Sequence, residues 1–160
     1  MNINQETLAA RNFLESPKKL NERINLDFMH LQRLRKIRDQ FGGSTLQREK
    51  VQGGQLPHSP ITRIIDQITD LEREIDRELL EYDALMRAVK QSIFYCNDDR
   101  EIKVLTKKFL EEKCVAEIAE EIYFSENRIY DSIRNGLKKV QQYMEENGLK
   151  GYDNGAGQED

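Results

Sequence analysis

The chain has no tryptophan, two cysteines and three prolines in 160 residues, and each shortage closes off a class of protein. Cys96 and Cys114 are too few for the disulfide framework of a small secreted domain. With no CxxC spacing and no His/Cys cluster they also make no zinc site. They read as reduced, partly buried small hydrophobes. No apolar stretch approaches the ~20 residues of a membrane span, and the opening MNINQETLAARN lacks the basic-then-apolar pattern of a secretory leader. The expectation is a cytoplasmic protein with no membrane partner. A basic excess is missing too, since the formal charge is −4 and the pI is near 5.4. That does not advertise a nucleic-acid binder, although a local patch suffices for phosphate contacts. Catalytic signatures are absent: there is no HExxH and no nucleophile elbow, and Gly42, Gly43, Ser44 and Thr45 lack the lysine and the preceding strand of a phosphate loop. His30 and His58 have no carboxylate or cysteine at ligand spacing. No enzymatic activity, cofactor or metal is expected.

What the chain does have is charge, at 34% of residues, carried by Glu, Lys and Arg alongside Leu and Ile. That composition favours helices, and the fold class expected is all-α. A short helix is predicted over 7–14. Ser16 before Pro17 then gives a start signal, because serine accepts an orphan amide and proline supplies a helical φ where no donor is needed. From there Leu20, Ile24, Leu31, Leu34 and Phe41 form a seam that Asp27 and Arg38 interrupt and Phe28 and Ile37 widen. Gly42 and Gly43 are expected to stop this helix, leaving 42–59 as a mobile loop. Ser59 and Pro60 repeat the start signal. Ile61, Ile68, Ile75, Tyr82 and Val89 then recur every seven residues, with Ile64, Leu71 and Leu85 beside them, in a helix of about 50 Å at ~1.5 Å per residue.

Such a helix needs a partner, and the charges point to one. Residues 18–38 carry seven basic side chains against Glu22 and Asp27, while residues 66–83 carry eight acidic side chains against Arg73 and Arg77. Opposite charges flanking two apolar seams select a pairing of these helices, within one chain or across a dimer. A rival use of residues 33–38 is as a second DNA-contacting strip. The domains expected are a long antiparallel, coiled-coil-like hairpin over 1–96, a compact unit over 97–147, and a disordered tail over 148–160.

Within the compact unit, Asp98 followed by Glu101 has capping-box spacing. A helix follows it, with Ile102, Leu105, Phe109 and Leu110 on its apolar face. Beyond Cys114 the pattern is two helices joined by a short turn. Ile118 and Ile122 face inward on the first, with Ala119 between them where only a small side chain fits. Phe124 plugs the turn and Ser125 caps the second helix, whose inward face is Ile129, Ile133, Leu137 and Val140. This arrangement is a helix-turn-helix. It leaves Glu126, Asn127, Arg128, Tyr130, Asp131, Arg134, Asn135 and Lys138 outside, where a recognition helix meets the major groove.

Residues 100–144 resemble the region-four domain of bacterial sigma factors in Phe109 and Leu110, in Glu117, Ile118 and Ala119, in Ser125, Ile129 and Ile133, and in the ending Leu137, Lys138 and Lys139. The layout of a long hairpin before such a domain is similar to phage late-transcription regulators of the RinA and ArpU type. The resemblance implies a DNA-binding activator of late genes in a bacterial host cell, working on double-stranded DNA with host RNA polymerase and as a homodimer or higher oligomer. It carries Ser125, Asn127 and Arg128 to the start of the recognition helix as base or phosphate contacts. Arg134, Asn135, Lys138 and Lys139 would be backbone contacts, with Glu126, Tyr130 and Asp131 on the same face. Bidentate bonds from Asn127 to adenine and from Arg128 to guanine would supply the specificity. Two departures stand out: Tyr123 occupies the turn position that usually holds glycine, and Tyr130, Asp131 and Ser132 stand where basic residues are usual. The alternatives from other classes are the small, DNA-recognising subunit of a packaging terminase and a helical module that binds a protein.

Overall fold

The computed structural model describes residues 3–52 and 59–149, with the backbone alone for 3, 4 and 42–52. Every regular element among them is helical, so the protein is all-α. The helices are α1 (Ile3–Glu6), α2 (Leu8–Gln52), α3 (Pro60–Phe94), α4 (Asp99–Leu105), α5 (Val115–Ile122) and α6 (Glu126–Glu146). A single π-turn, Thr106–Leu110, extends α4.

Helix α2 departs from the sequence reading at two places. It does not restart at Ser16 and Pro17 but runs through them. A proline inside a helix removes the amide that would bond to the carbonyl four residues back, which here is Phe13. Ser16 supplies the replacement, its hydroxyl donating to the Phe13 carbonyl at 2.5 Å in a fully buried setting. The dipeptide therefore repairs a helix and does not begin one. Nor do Gly42 and Gly43 end it, since the helix persists to Gln52. A glycine costs a helix about 1 kcal/mol relative to alanine, a bias that does not forbid the conformation. Of the loop expected over 42–59, residues 42–52 are thus helical; Gly53, Gly54 and His58 lie outside the described residues. Helix α3 does start as the sequence indicates, with the Thr62 amide donating to Ser59 Oγ at 3.2 Å.

The described residues divide into two compact units, and the division does not fall at residue 97. One unit takes the chain up to Lys19 together with everything from Asp83; the other is Leu20–Tyr82. Phe13 and Leu14 from α2 and Val89 and Ile93 from α3 join the core formed by α4, α5 and α6, which explains the shift. Deep in this core sit Val104, Leu105, Ile118, Ile129 and Val140, each fully buried.

In the second unit α2 and α3 share a narrow seam of Leu31, Leu34, Ile68, Leu71 and Ile75. The flanking charges pair as their signs suggest: Arg23 with Glu74 (3.5 Å) and Glu78 (3.2 Å), and Arg35 with Glu72 (2.9 Å). Phe41, assigned to the seam by its spacing, is instead 59% exposed. Glu78 lies in the seam and is buried. Burial first, and then the Asp27 carboxyl beside it, push its own carboxyl up to about 7.

Candidate nucleic-acid interface

The candidate face is built on α6, and its position is fixed from both ends. At the start, Ser125 Oγ accepts the Arg128 amide (3.4 Å), capping the helix where four amides would otherwise lack partners. The three residues between α5 and α6 are Tyr123, Phe124 and Ser125. Tyr123 adopts the left-handed conformation, φ 58° and ψ 42°, and its side chain is 92% exposed. The turn that normally calls for glycine is thus kept by a tyrosine, which lets the Phe124 amide return to the Ala119 carbonyl at 3.1 Å. Phe124 is half-buried against the core, with the Arg100 and Arg128 guanidiniums 5.5 and 5.7 Å from its ring centroid.

At the far end the helix closes on Gly148, φ 63°. The Leu149 amide donates to the Met144 carbonyl at 2.9 Å and the Leu149 side chain packs on the core. Gly148 and Leu149, assigned to the tail by composition, therefore belong to the helix terminus. Residues 150–160 lie outside the described residues.

Between these ends one side of α6 is buried through Ile129, Ser132, Ile133, Gly136, Leu137, Val140 and Met144. Ser132 is among them, its hydroxyl donating to the Arg128 carbonyl (2.9 Å), so it is not a surface position. Gly136 is a residue the apolar pattern passes over. A Cβ there would lie 2.7 Å from Leu105 Cδ1, so the bare backbone is what lets α6 approach α4. A glycine in mid-helix was the available signal.

On the opposite side of α6, Ser125, Glu126, Asn127, Arg128, Tyr130, Asp131, Arg134, Asn135 and Lys138 are all exposed. By helical spacing Asn127, Asp131, Arg134 and Lys138 fall in one stripe, with Tyr130 on one flank and Asn135 on the other. Lys139 is not part of this face. It is half-buried, and its ammonium donates to Glu101 Oε2 at 2.7 Å and to the Cys96 carbonyl at 3.2 Å. The Glu101 hydrogen bond raises its pKa. Glu101 is itself buried, and this use of its carboxylate changes the expected capping box. Asp98 Oδ1 still accepts the Glu101 amide (3.0 Å), which holds the Asp98 carboxyl below the ordinary range, but the Glu101 side chain serves α6.

The electrostatics of the stripe follow. Arg134 is paired with Asp131 at 3.2 Å, so their charges largely cancel. Arg128 and Lys138 remain as the exposed cations of α6 with no ion-pair partner among the described residues, the Arg128 guanidinium lying over the Phe124 ring. The other strong charge cluster of this unit is structural: Lys107 and Lys113 each reach Glu121 at 2.6 Å, tying the link before α5 to its last turn. Glu117 Oε2 caps the start of α5 by accepting the Cys114 amide at 2.8 Å, and that hydrogen bond lowers its pKa. Cys96 is buried, its thiol pushed up to about 11 by that burial, while Cys114 is exposed; both are free.

Comparison with protein-family models, characterised proteins and solved structures finds no match to this chain. Any functional reading therefore stands on the geometry of α5 and α6. No helix among the described residues is long and apolar enough to cross a membrane.

Proposed function

We propose that the protein is a DNA-binding transcription regulator that uses α5, the three-residue turn and α6 as a helix-turn-helix, with α6 as the recognition helix. The observation that carries this is the exposed stripe of Asn127, Asp131, Arg134 and Lys138 lying opposite a buried face. A helix held by its buried side and presenting amide and cationic side chains has the form that enters a major groove. The further steps are also part of the proposal: a late-gene activator of the RinA and ArpU type, contact with host RNA polymerase, and a dimer or higher oligomer made through α2 and α3.

Few free cations support the stripe, so this reading requires weak binding per copy, strengthened by pairing two copies on two half-sites. The test is enrichment of random duplex DNA on the full chain at low salt, followed by anisotropy titration of the selected sequence. A selected site whose affinity falls at least tenfold in both Arg128→Ala and Lys138→Ala is the expected result. With about two to four phosphates neutralised per copy, log K should fall against log salt with a slope of roughly −2 to −4 for each copy bound. Failure to enrich any sequence overturns the proposal.

The Asp131–Arg134 pair favours one second reading, a module that binds a protein, because a surface whose charges are already internally paired suits a polar protein interface. Intact biological activity in Arg128→Ala with Lys138→Ala would favour that reading.

A further inference from the structure

We propose that Asp27 on α2 and Glu74 and Glu78 on α3 form a binding site for a divalent cation, which clamps the two helices together. One carboxylate oxygen from each of the three residues lies within 4.8 Å of the others. Glu74 and Glu78 are one helical turn apart and so share a face of α3. Glu78 is 4% exposed, and among the described residues no N–H or hydroxyl group donates to either of its carboxylate oxygens, whose contacts are the Asp27 carboxyl and the Arg23 ion pair. Buried carboxylates are ordinarily satisfied by directed donors or by a metal.

Arg23 reaches the cluster, with Nε 3.2 Å from Glu78 Oε1 and a terminal nitrogen 3.5 Å from Glu74 Oε1. Its side chain is 60% exposed, and the contact is an ion pair without the alignment of a hydrogen bond. Above the value of about 7 to which burial and the Asp27 carboxyl push Glu78, the three carboxylates against one guanidinium leave two negative charges at the seam, which one divalent cation would neutralise. The donors are all oxygen, so the site suits Mg²⁺, Mn²⁺ or Ca²⁺, with water completing the coordination, and disfavours soft metals. The signal in the sequence was Asp27, which interrupts an otherwise apolar seam.

Mn²⁺ titration of the EDTA-treated full chain at pH 8, followed by the electron-spin signal of the free ion with melting measured in parallel, tests the site. One bound Mn²⁺ per chain at sub-millimolar affinity, with a rise in melting temperature, is expected. Glu78→Gln should abolish both, and should itself melt higher than the metal-free parent because a buried charge is gone. Asp27→Asn, at a half-buried position, should weaken binding at least tenfold and serves if Glu78→Gln folds poorly. No binding up to about 10 mM Mn²⁺, or binding left unchanged by both variants, overturns the proposal.

Discussion

The two units solve the problem of burying helices with different resources. Among the described residues, the unit that carries α4, α5 and α6 gathers sixteen buried apolar side chains into one cluster, and the unit of residues 20–82 gathers five. The first is a core in three dimensions, where each side chain meets neighbours from several helices. The second is a line of contact between two helices, with ion pairs along its edges and a carboxylate inside it. Exposed ion pairs contribute roughly 0–1 kcal/mol each, so they select the partner helix more than they hold it. The physical consequence is a difference in cooperativity. The thick core should open only with global unfolding, and the seam should open locally at lower cost.

Truncations of matched size put the largest strain on that comparison. Ile118→Ala, in the thick core and fully buried, should cost about 4 kcal/mol, near the upper end for a site that cannot collapse. Ile75→Ala in the seam, 3% exposed, should cost about 2 kcal/mol, because two helices can close on the space left behind. Urea melts give the sizes, and hydrogen exchange gives the location. After Ile75→Ala, amides of residues 20–82 should exchange faster while those of 100–144 keep their protection. Equal losses in both regions would mean that the seam is not an independent unit.

The next largest effect separates two adjacent lysines that the sequence alone cannot tell apart. Lys139→Ala leaves the buried Glu101 carboxylate, with only 7% of its side chain exposed, without its cation. Removing one partner of a buried pair costs about 3–5 kcal/mol. The Lys139 side chain is 40% exposed, so solvent screening brings the expectation down to about 2 kcal/mol. Lys138→Ala, at an exposed position, should change stability by less than about 0.5 kcal/mol and should act on DNA affinity instead. Ser16→Ala falls between the two, at about 1 kcal/mol, the cost of leaving the buried Phe13 carbonyl without its donor. It should also bend or fray α2 ahead of Pro17, visible as lost exchange protection over residues 8–16.

These cases show where the sequence was readable. The apolar skeleton of α5 and α6 follows from spacing alone: Ile118, Ile129, Ile133, Leu137 and Val140 are all buried. The exposed stripe follows as its complement. What spacing cannot supply is the use a polar group makes of a distant partner. Glu101 had the right offset to cap α4, and a lysine 38 residues away took it instead. Ser16 and Pro17 look like a helix start because the same two properties, a hydroxyl and a missing amide, also serve a helix interior once the hydroxyl turns back on its own chain. Gly136 was invisible to a search for large apolar residues, since its contribution is the space it leaves for Leu105. The seam was legible as heptads and complementary charges, but not the burial of Glu78, which the charge pattern places among the acidic side chains of the flank.

A small gain in stability tests why the thick core tolerates an awkward backbone. Every described residue with positive φ, namely Asn97, Glu112, Tyr123 and Gly148, lies in that unit. Left-handed conformations in non-glycine residues cost about 1–2 kcal/mol and persist where the surroundings over-determine them. At Tyr123 the surroundings are the helices on either side, since the tyrosine side chain itself is exposed and contributes little packing. Tyr123→Gly should therefore relieve the strain, offset in part by the greater freedom glycine has when unfolded, for a net gain of about 0.5–1 kcal/mol. Urea melts at constant helix content measure it. If DNA affinity falls in the same variant while stability rises, the ring is a contact and the strain is retained for binding. Unchanged affinity would make Tyr123 only a tolerated occupant of a glycine position.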